Sequence, residues 1–106
     1  VSIRKVISFG YKRGSPPPAD NTWDVRDQLS NPWSKPELRN LTGNDGKVKR
    51  FVESDPSFPA LVKAIIAAGG DTVAIGCMGG LHRSVALANR VAYLTGSEVS
   101  HRELKS

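Results

Sequence analysis

The sequence predicts an α/β fold: a single small domain with a mostly parallel four-stranded sheet flanked by helices. Three observations lead there. Short β-branched apolar runs alternate with stretches of helical periodicity. One run, Thr72–Gly76, is apolar throughout, as befits a central strand covered on both faces. That run enters a glycine-rich turn and then a helical stretch, which is the joint of a parallel strand–helix unit. The 106 residues, 39% hydrophobic and 24% charged, suit one globular domain with one modest core, spanning 1–106.

The elements follow in order. Arg4–Gly10 reads as a buried strand, with Val6, Ile7 and Phe9 apolar and glycine at its end. Tyr11–Asn21 is a loop, because Gly14 and Pro16–Pro18 cannot hold a ladder. Thr22–Arg26 makes a second short strand. Asp27–Gly46 is irregular, with turns marked by Asn31-Pro32, Lys35-Pro36, Thr42-Gly43 and Asp45-Gly46. A long loop of this kind is usually functional or disordered. Lys47–Glu53 makes a short helix. Ala60–Ala68 makes a longer one, with Leu61, Val62, Ile65 and Ile66 on one face and Gly69-Gly70 as its stop. After the central strand and the turn Cys77–Leu81, His82–Thr95 is helical, stopped by Gly96. Ser97–Arg102 is a last strand. Trp23 and Trp33 read as core or loop-pinning residues rather than base-stacking platforms.

Fifteen Lys and Arg against ten Asp and Glu leave +5, which suits a polyanion such as RNA or a phosphorylated small molecule, besides serving solubility. The lone Cys77 excludes an internal disulfide and a multi-cysteine zinc site, so no metal or cofactor is expected and a cytoplasmic setting is the default. No apolar run is long enough for a membrane span, and the first residues lack the pattern of a signal peptide.

The strongest chemical signal is Gly76-Cys77-Met78-Gly79-Gly80-Leu81-His82-Arg83-Ser84. Glycines let backbone amides approach a ligand, and a helix start adds free N–H groups and partial positive charge. The combination is a socket for phosphate, to which Arg83 adds a guanidinium and Ser84 a hydroxyl. The Walker pattern Gly-x-x-x-x-Gly-Lys-Ser/Thr is absent. Cys77 and Arg83 also stand in the Cys-x5-Arg-Ser spacing of cysteine-dependent phosphatases, in which a thiolate attacks phosphorus. Asp20, Asp24 or Asp27 would then supply the acid; spacing does not decide among them, and Asp24 stands with Cys77 and Arg83 as the alternative catalytic set. A small buried residue at a strand end is the plainer reading of Cys77.

The same segment, extended to Val85, resembles the Gly-Cys-Thr-Gly-Gly-x-His-Arg-Ser-Val signature of the C-terminal domain of the bacterial RNase adapter protein RapZ. Ser8-Phe9-Gly10-Tyr11-Lys12-x-Gly14, Ala19-Asp20-Asn21-Thr22-Trp23-Asp24-Val25-Arg26, Asn31-Pro32-Trp33 through Leu41-Thr42-Gly43, and His101-Arg102-Glu103-Leu104 resemble further motifs of that family in the same order. The resemblance implies an RNA-binding α/β domain that presents RNA to an endoribonuclease. It also implies a pocket at the glycine-rich turn for an amino-sugar phosphate, glucosamine-6-phosphate, and a tendency to homo-oligomerise. The family's N-terminal Walker-type nucleotide domain is not expected here. Met78 stands where the family signature has threonine.

The strand ends gather the candidate ligand-binding residues. In open α/β sheets ligands sit beyond the carboxyl ends of strands. Lys12 and Arg13 leave the first strand, Asp24 and Arg26 the second, and Gly76–Ser84 the third. One pocket is therefore expected to bring Lys12, Arg13, Arg26, His82 and Arg83 around an anion, with Asp24 as acceptor. Lys47, Lys49 and Arg50, with Arg102 and Lys105 near the end of the chain, are the expected RNA contacts.

Overall fold

The computed structural model describes residues 3–104. The order is β1 (Lys5–Gly10), β2 (Asn21–Asp24), α1 (Gly46–Glu53), α2 (Phe58–Ala68), β3 (Thr72–Cys77), α3 (Arg83–Thr95) and β4 (Glu98–His101). Short 3-10 turns occur at Tyr11–Arg13, Pro32–Ser34 and Pro36–Leu38. The strands form one sheet in the order β2-β3-β1-β4, and every pairing is parallel.

Helix α3 packs against β1, β3 and β4, and α1 and α2 pack against α3. Val6, Val73 and Ile75 of the sheet share one core with Val48 and Val52 of α1, Val62 and Ile65 of α2, and Leu87 and Val91 of α3. The period of two puts Phe9 on the other face of β1. There Phe9 meets Tyr11 edge-on at 4.8 Å between ring centroids. Arg26 stacks over Tyr11 at 4.0 Å and Arg102 over Phe9 at 5.3 Å. The second face is thus closed near the strand ends by aromatic rings under guanidinium groups.

Element ends differ from the sequence expectation for local reasons. Strand β2 stops at Asp24, whose carboxylate accepts the Arg26 amide and turns the chain. Helix α2 starts two residues early, at Phe58, because Pro59 fits the first turn, where its missing N–H leaves no gap. The long loop is ordered by two proline-started 3-10 turns, and Asp55 accepts both the amide and the hydroxyl of Ser30. Among the described residues no helix is long and apolar enough to cross a membrane.

Candidate functional site

A cavity of about 340 Å³ opens where β1 and β3 end. Lys12 and Arg13 line it from the turn after β1, Asn31 and Trp33 from the long loop, Cys77 from the end of β3, Met78, Gly79, Leu81 and His82 from the turn that follows, and Arg83 from the start of α3. This is the position that an open parallel sheet offers a ligand.

Packing explains most of the turn's glycines. Gly80 has φ of +76°, and a Cβ there would lie 2.5 Å from Glu103 Cγ and 2.6 Å from the Gly10 nitrogen. Gly79 is different. Its φ is not positive, and a Cβ there would meet nothing nearer than Lys12 Cε at 4.0 Å. The space that Gly79 leaves belongs to the cavity. The turn is held from outside: the Lys12 amide donates to Met78 O at 3.1 Å, and the Gly43 amide to Leu81 O at 2.7 Å. The amides of Gly79, Gly80, Leu81 and His82 donate to no acceptor among the described residues.

Helix α3 begins at Arg83 rather than His82, which is its N-cap. No side chain caps it, and its first turn holds no acidic residue. A helix N-terminus favours the reverse, a capping oxygen and negative charge. Arg83 is nevertheless only 5% exposed. One Nη1–H donates to the Arg26 carbonyl, while Nε has no partner. His82 is also buried with Nε2 unpartnered. Burial pushes its pKa below the usual 6.5, although the carbonyls of Leu41, Arg39 and Leu38 and the Arg83 charge also act on it. His82 is therefore neutral at neutral pH. Behind the turn, the buried Cys77 Sγ accepts the Ser84 amide at 3.5 Å and donates to Ser84 Oγ at 3.2 Å.

The structure brings Lys12, Arg13, Cys77, Met78, Gly79, Leu81, His82 and Arg83 to one cavity, as the strand ends suggested. It does not bring Asp24 or Arg26 there. Their side chains pair with each other at 2.6 Å, and Arg26 is spent on Tyr11. The hydrogen bond from Arg26 is the main cause holding the Asp24 carboxyl below its ordinary pKa, so at neutral pH it is an anion rather than a proton donor. Gly76, Gly80 and Ser84 pack behind the cavity instead of lining it.

Of the expected RNA contacts, Lys47 and Arg50 are exposed on α1 and Lys49 is half-buried. Arg102 is engaged internally, with the Ser15, Gly10 and Gly14 carbonyls and the Glu103 carboxylate. Lys105 lies outside the described residues. Two lining residues escaped the sequence reading, Asn31 and Trp33. Trp33 is 55% exposed and is not a core residue. The Asn31-Pro32-Trp33 motif was visible, but nothing local tells which way a loop tryptophan faces.

The family model described as the RapZ C-terminal domain matches residues 2–105. The chain belongs to that family. A nucleotide-binding protein of Alkalilimnicola ehrlichii is 44% identical to this RapZ-family chain over 115 residues, covering 92% of it and 40% of the relative. One of Thermus thermophilus is 44% identical over 119 residues, covering 97% and 43%. One of Heliobacterium modesticaldum is 41% identical over 117 residues, covering 93% and 38%. The chain therefore spans about two-fifths of the length of these relatives. Each match is longer than the 106 residues of this chain, so the relatives carry residues within the domain that it lacks.

Proposed function

We propose that this chain is a non-catalytic RapZ-like module that seats a phosphate-bearing ligand in the cavity after β3 and takes RNA as its macromolecular partner, in an adapter-like role toward an endoribonuclease. One observation carries the ligand reading. An uncapped helix start, with a buried arginine whose Nε lacks a partner, faces a cavity that Lys12 and Arg13 also line. Buried cations are otherwise paired, because an uncompensated charge away from water is costly. A phosphate would accept from the turn amides and from Arg83 together.

The test is titration of the whole chain with inorganic phosphate, followed by amide NMR. Gly79, Gly80, Leu81 and His82 should shift, and Arg83→Gln should weaken binding by about tenfold or more, in line with loss of a charge-assisted contact. Equal binding by the variant, or shifts confined to other surfaces, would overturn the reading.

A phosphatase is the second reading, favoured by the presence of Cys77 in the same cavity with a backbone N–H directed at its sulfur. Asp24, ionised and paired outside the cavity, is not built to donate the proton such chemistry needs. Hydrolysis of an aryl phosphate by the wild type that disappears in Cys77→Ser would establish the phosphatase; no turnover in either protein supports the binding module.

A further inference from the structure

We propose that Arg102 and Glu103 are positioning residues for the anion cavity: from behind the glycine-rich turn they set how the segment carrying Lys12 and Arg13 stands against the Gly79–Gly80 peptide. The proposal rests on the phosphate reading above and assigns that site two residues outside its lining.

The end of β1 and the turn after β3 meet backbone to backbone. A Cβ added at Gly10 would lie 2.4 Å from the Gly79 carbonyl carbon and 2.7 Å from the Gly80 nitrogen. Glu103 closes that contact from the far side. Its Cγ packs against Gly80, and its carboxylate accepts the Gly10 amide at 3.0 Å. Its side chain is only 12% exposed.

Arg102 holds the loop that follows. Its guanidinium donates to the Ser15 carbonyl and lies 3.5 Å from the Gly10 and Gly14 carbonyls, so it reaches both ends of the segment with Lys12 and Arg13. Its Nε donates to the Glu103 carboxylate at 2.9 Å, and the group covers the Phe9 ring. Its own amide donates to the Ser8 carbonyl at 2.9 Å, which fixes the pair to β1. Between the two ends, the Lys12 amide donates to Met78 O.

The side chains of Lys12 and Arg13 are long and exposed. Ordering them around a ligand costs affinity, and a braced backbone lowers that cost. Charge points to the same role. A lone carboxylate behind an anion site would repel the ligand, whereas one paired with Arg102 brings geometry without net charge.

The experiment is calorimetric titration of the whole chain and its Glu103→Ala, Glu103→Gln, Arg102→Lys and Arg83→Gln variants with inorganic phosphate, well below every melting temperature, with amide NMR of the unliganded proteins. Glu103→Ala should weaken phosphate binding about fivefold or more, the order of one lost hydrogen bond, and shift the Lys12 and Gly79 amide signals. Glu103→Gln restores an acceptor for Gly10 without the charge, and should recover most of both. A bare charge effect has the opposite sign: both variants would bind phosphate more tightly than the wild type. That result, or binding unchanged by Glu103→Ala, would overturn the proposal. Arg102→Lys keeps the charge without the fork of donors and should weaken binding. If Glu103→Ala does not fold, this variant decides, and wild-type affinity in it would overturn the proposal. In each of these cases Arg83-dependent phosphate binding by the wild type would leave the phosphate reading standing. No phosphate binding by the wild type would overturn both.

Discussion

Arg83, which is buried, and His101, which is half-buried, show two ways of drawing a polar side chain out of water in this domain. Arg83 has the neutral Arg26 carbonyl as its one hydrogen-bond partner among the described residues, and the Asp24 carboxylate acts on its charge without bonding to it. His101 is satisfied. Its Nδ1 lies 2.7 Å from Ser8 Oγ and its Nε2 lies 2.9 Å from Asn89 Oδ1, while Asn89 Nδ2 donates to Asn44 Oδ1 at 2.7 Å. The chain of contacts places the proton on Nε2, with Nδ1 accepting from the serine. Burial lowers the pKa of both His101 and His82 from 6.5. A depressed histidine pKa means that on acidification the unfolded chain takes up protons the folded chain refuses. Stability is therefore full above the unfolded pKa and falls as pH drops through 6.5 toward the folded values. Thermal melts should show a lower melting temperature at about pH 5 than at about pH 8, and His101→Gln should shrink the difference. Asp24 and Asp55, held below 3.8 mainly by hydrogen bonds from Arg26 and from Ser57, titrate in a lower and separate range.

The turn between β3 and α3 shows which elements could be read from the chain and which could not. Gly80→Ala should destabilise the domain by about 2–4 kcal/mol, from left-handed backbone strain and overpacking, as measured by urea unfolding. Gly79→Ala should cost far less stability and act on ligand binding. Sequence alone saw three glycines and gave all of them to the ligand; the contacts that divide their roles come from Glu103 and Gly10, far away in the chain. Strands and helices were legible because Val6, Val73, Ile75, Val62, Ile65 and Val91 carry their period in the local sequence. The loop 27–46 was not, because its turns depend on Asp55 and on proline geometry rather than on a repeat. Asp24 and Arg26 were expected to face the site from a strand. They left it because the strand ends between them, and the nearest opposite charge for each became the other.

For the molecule as a whole, the +5 balance is unevenly available. Arg102 and Arg26 are committed to internal stacking and pairing, whereas Lys47 and Arg50 project from α1. RNA affinity should therefore fall linearly with salt on logarithmic axes. A combined Lys47→Ala, Lys49→Ala, Arg50→Ala variant should reduce the slope by about 2, at ~0.7 per single-strand phosphate released. Fluorescence anisotropy with a short single-stranded RNA measures it, and an unchanged slope would remove α1 as the contact surface. Family membership was legible across nearly the whole chain, since its motifs mark turns and strand ends along the full length. The direction of Trp33 was not, because it depends on how the loop is pinned across the domain.

The Glu103 carboxylate accepts the Gly10 amide across 93 positions of sequence, and β4 pairs with β1 over nearly the same separation. The brace behind the cavity thus closes one of the widest loops in the domain. Closing so wide a loop is slow, since its entropy is lost before any contact rewards it. Until it closes, β1 lacks its neighbour on that side, and the Gly10 end of the strand is without its carboxylate brace.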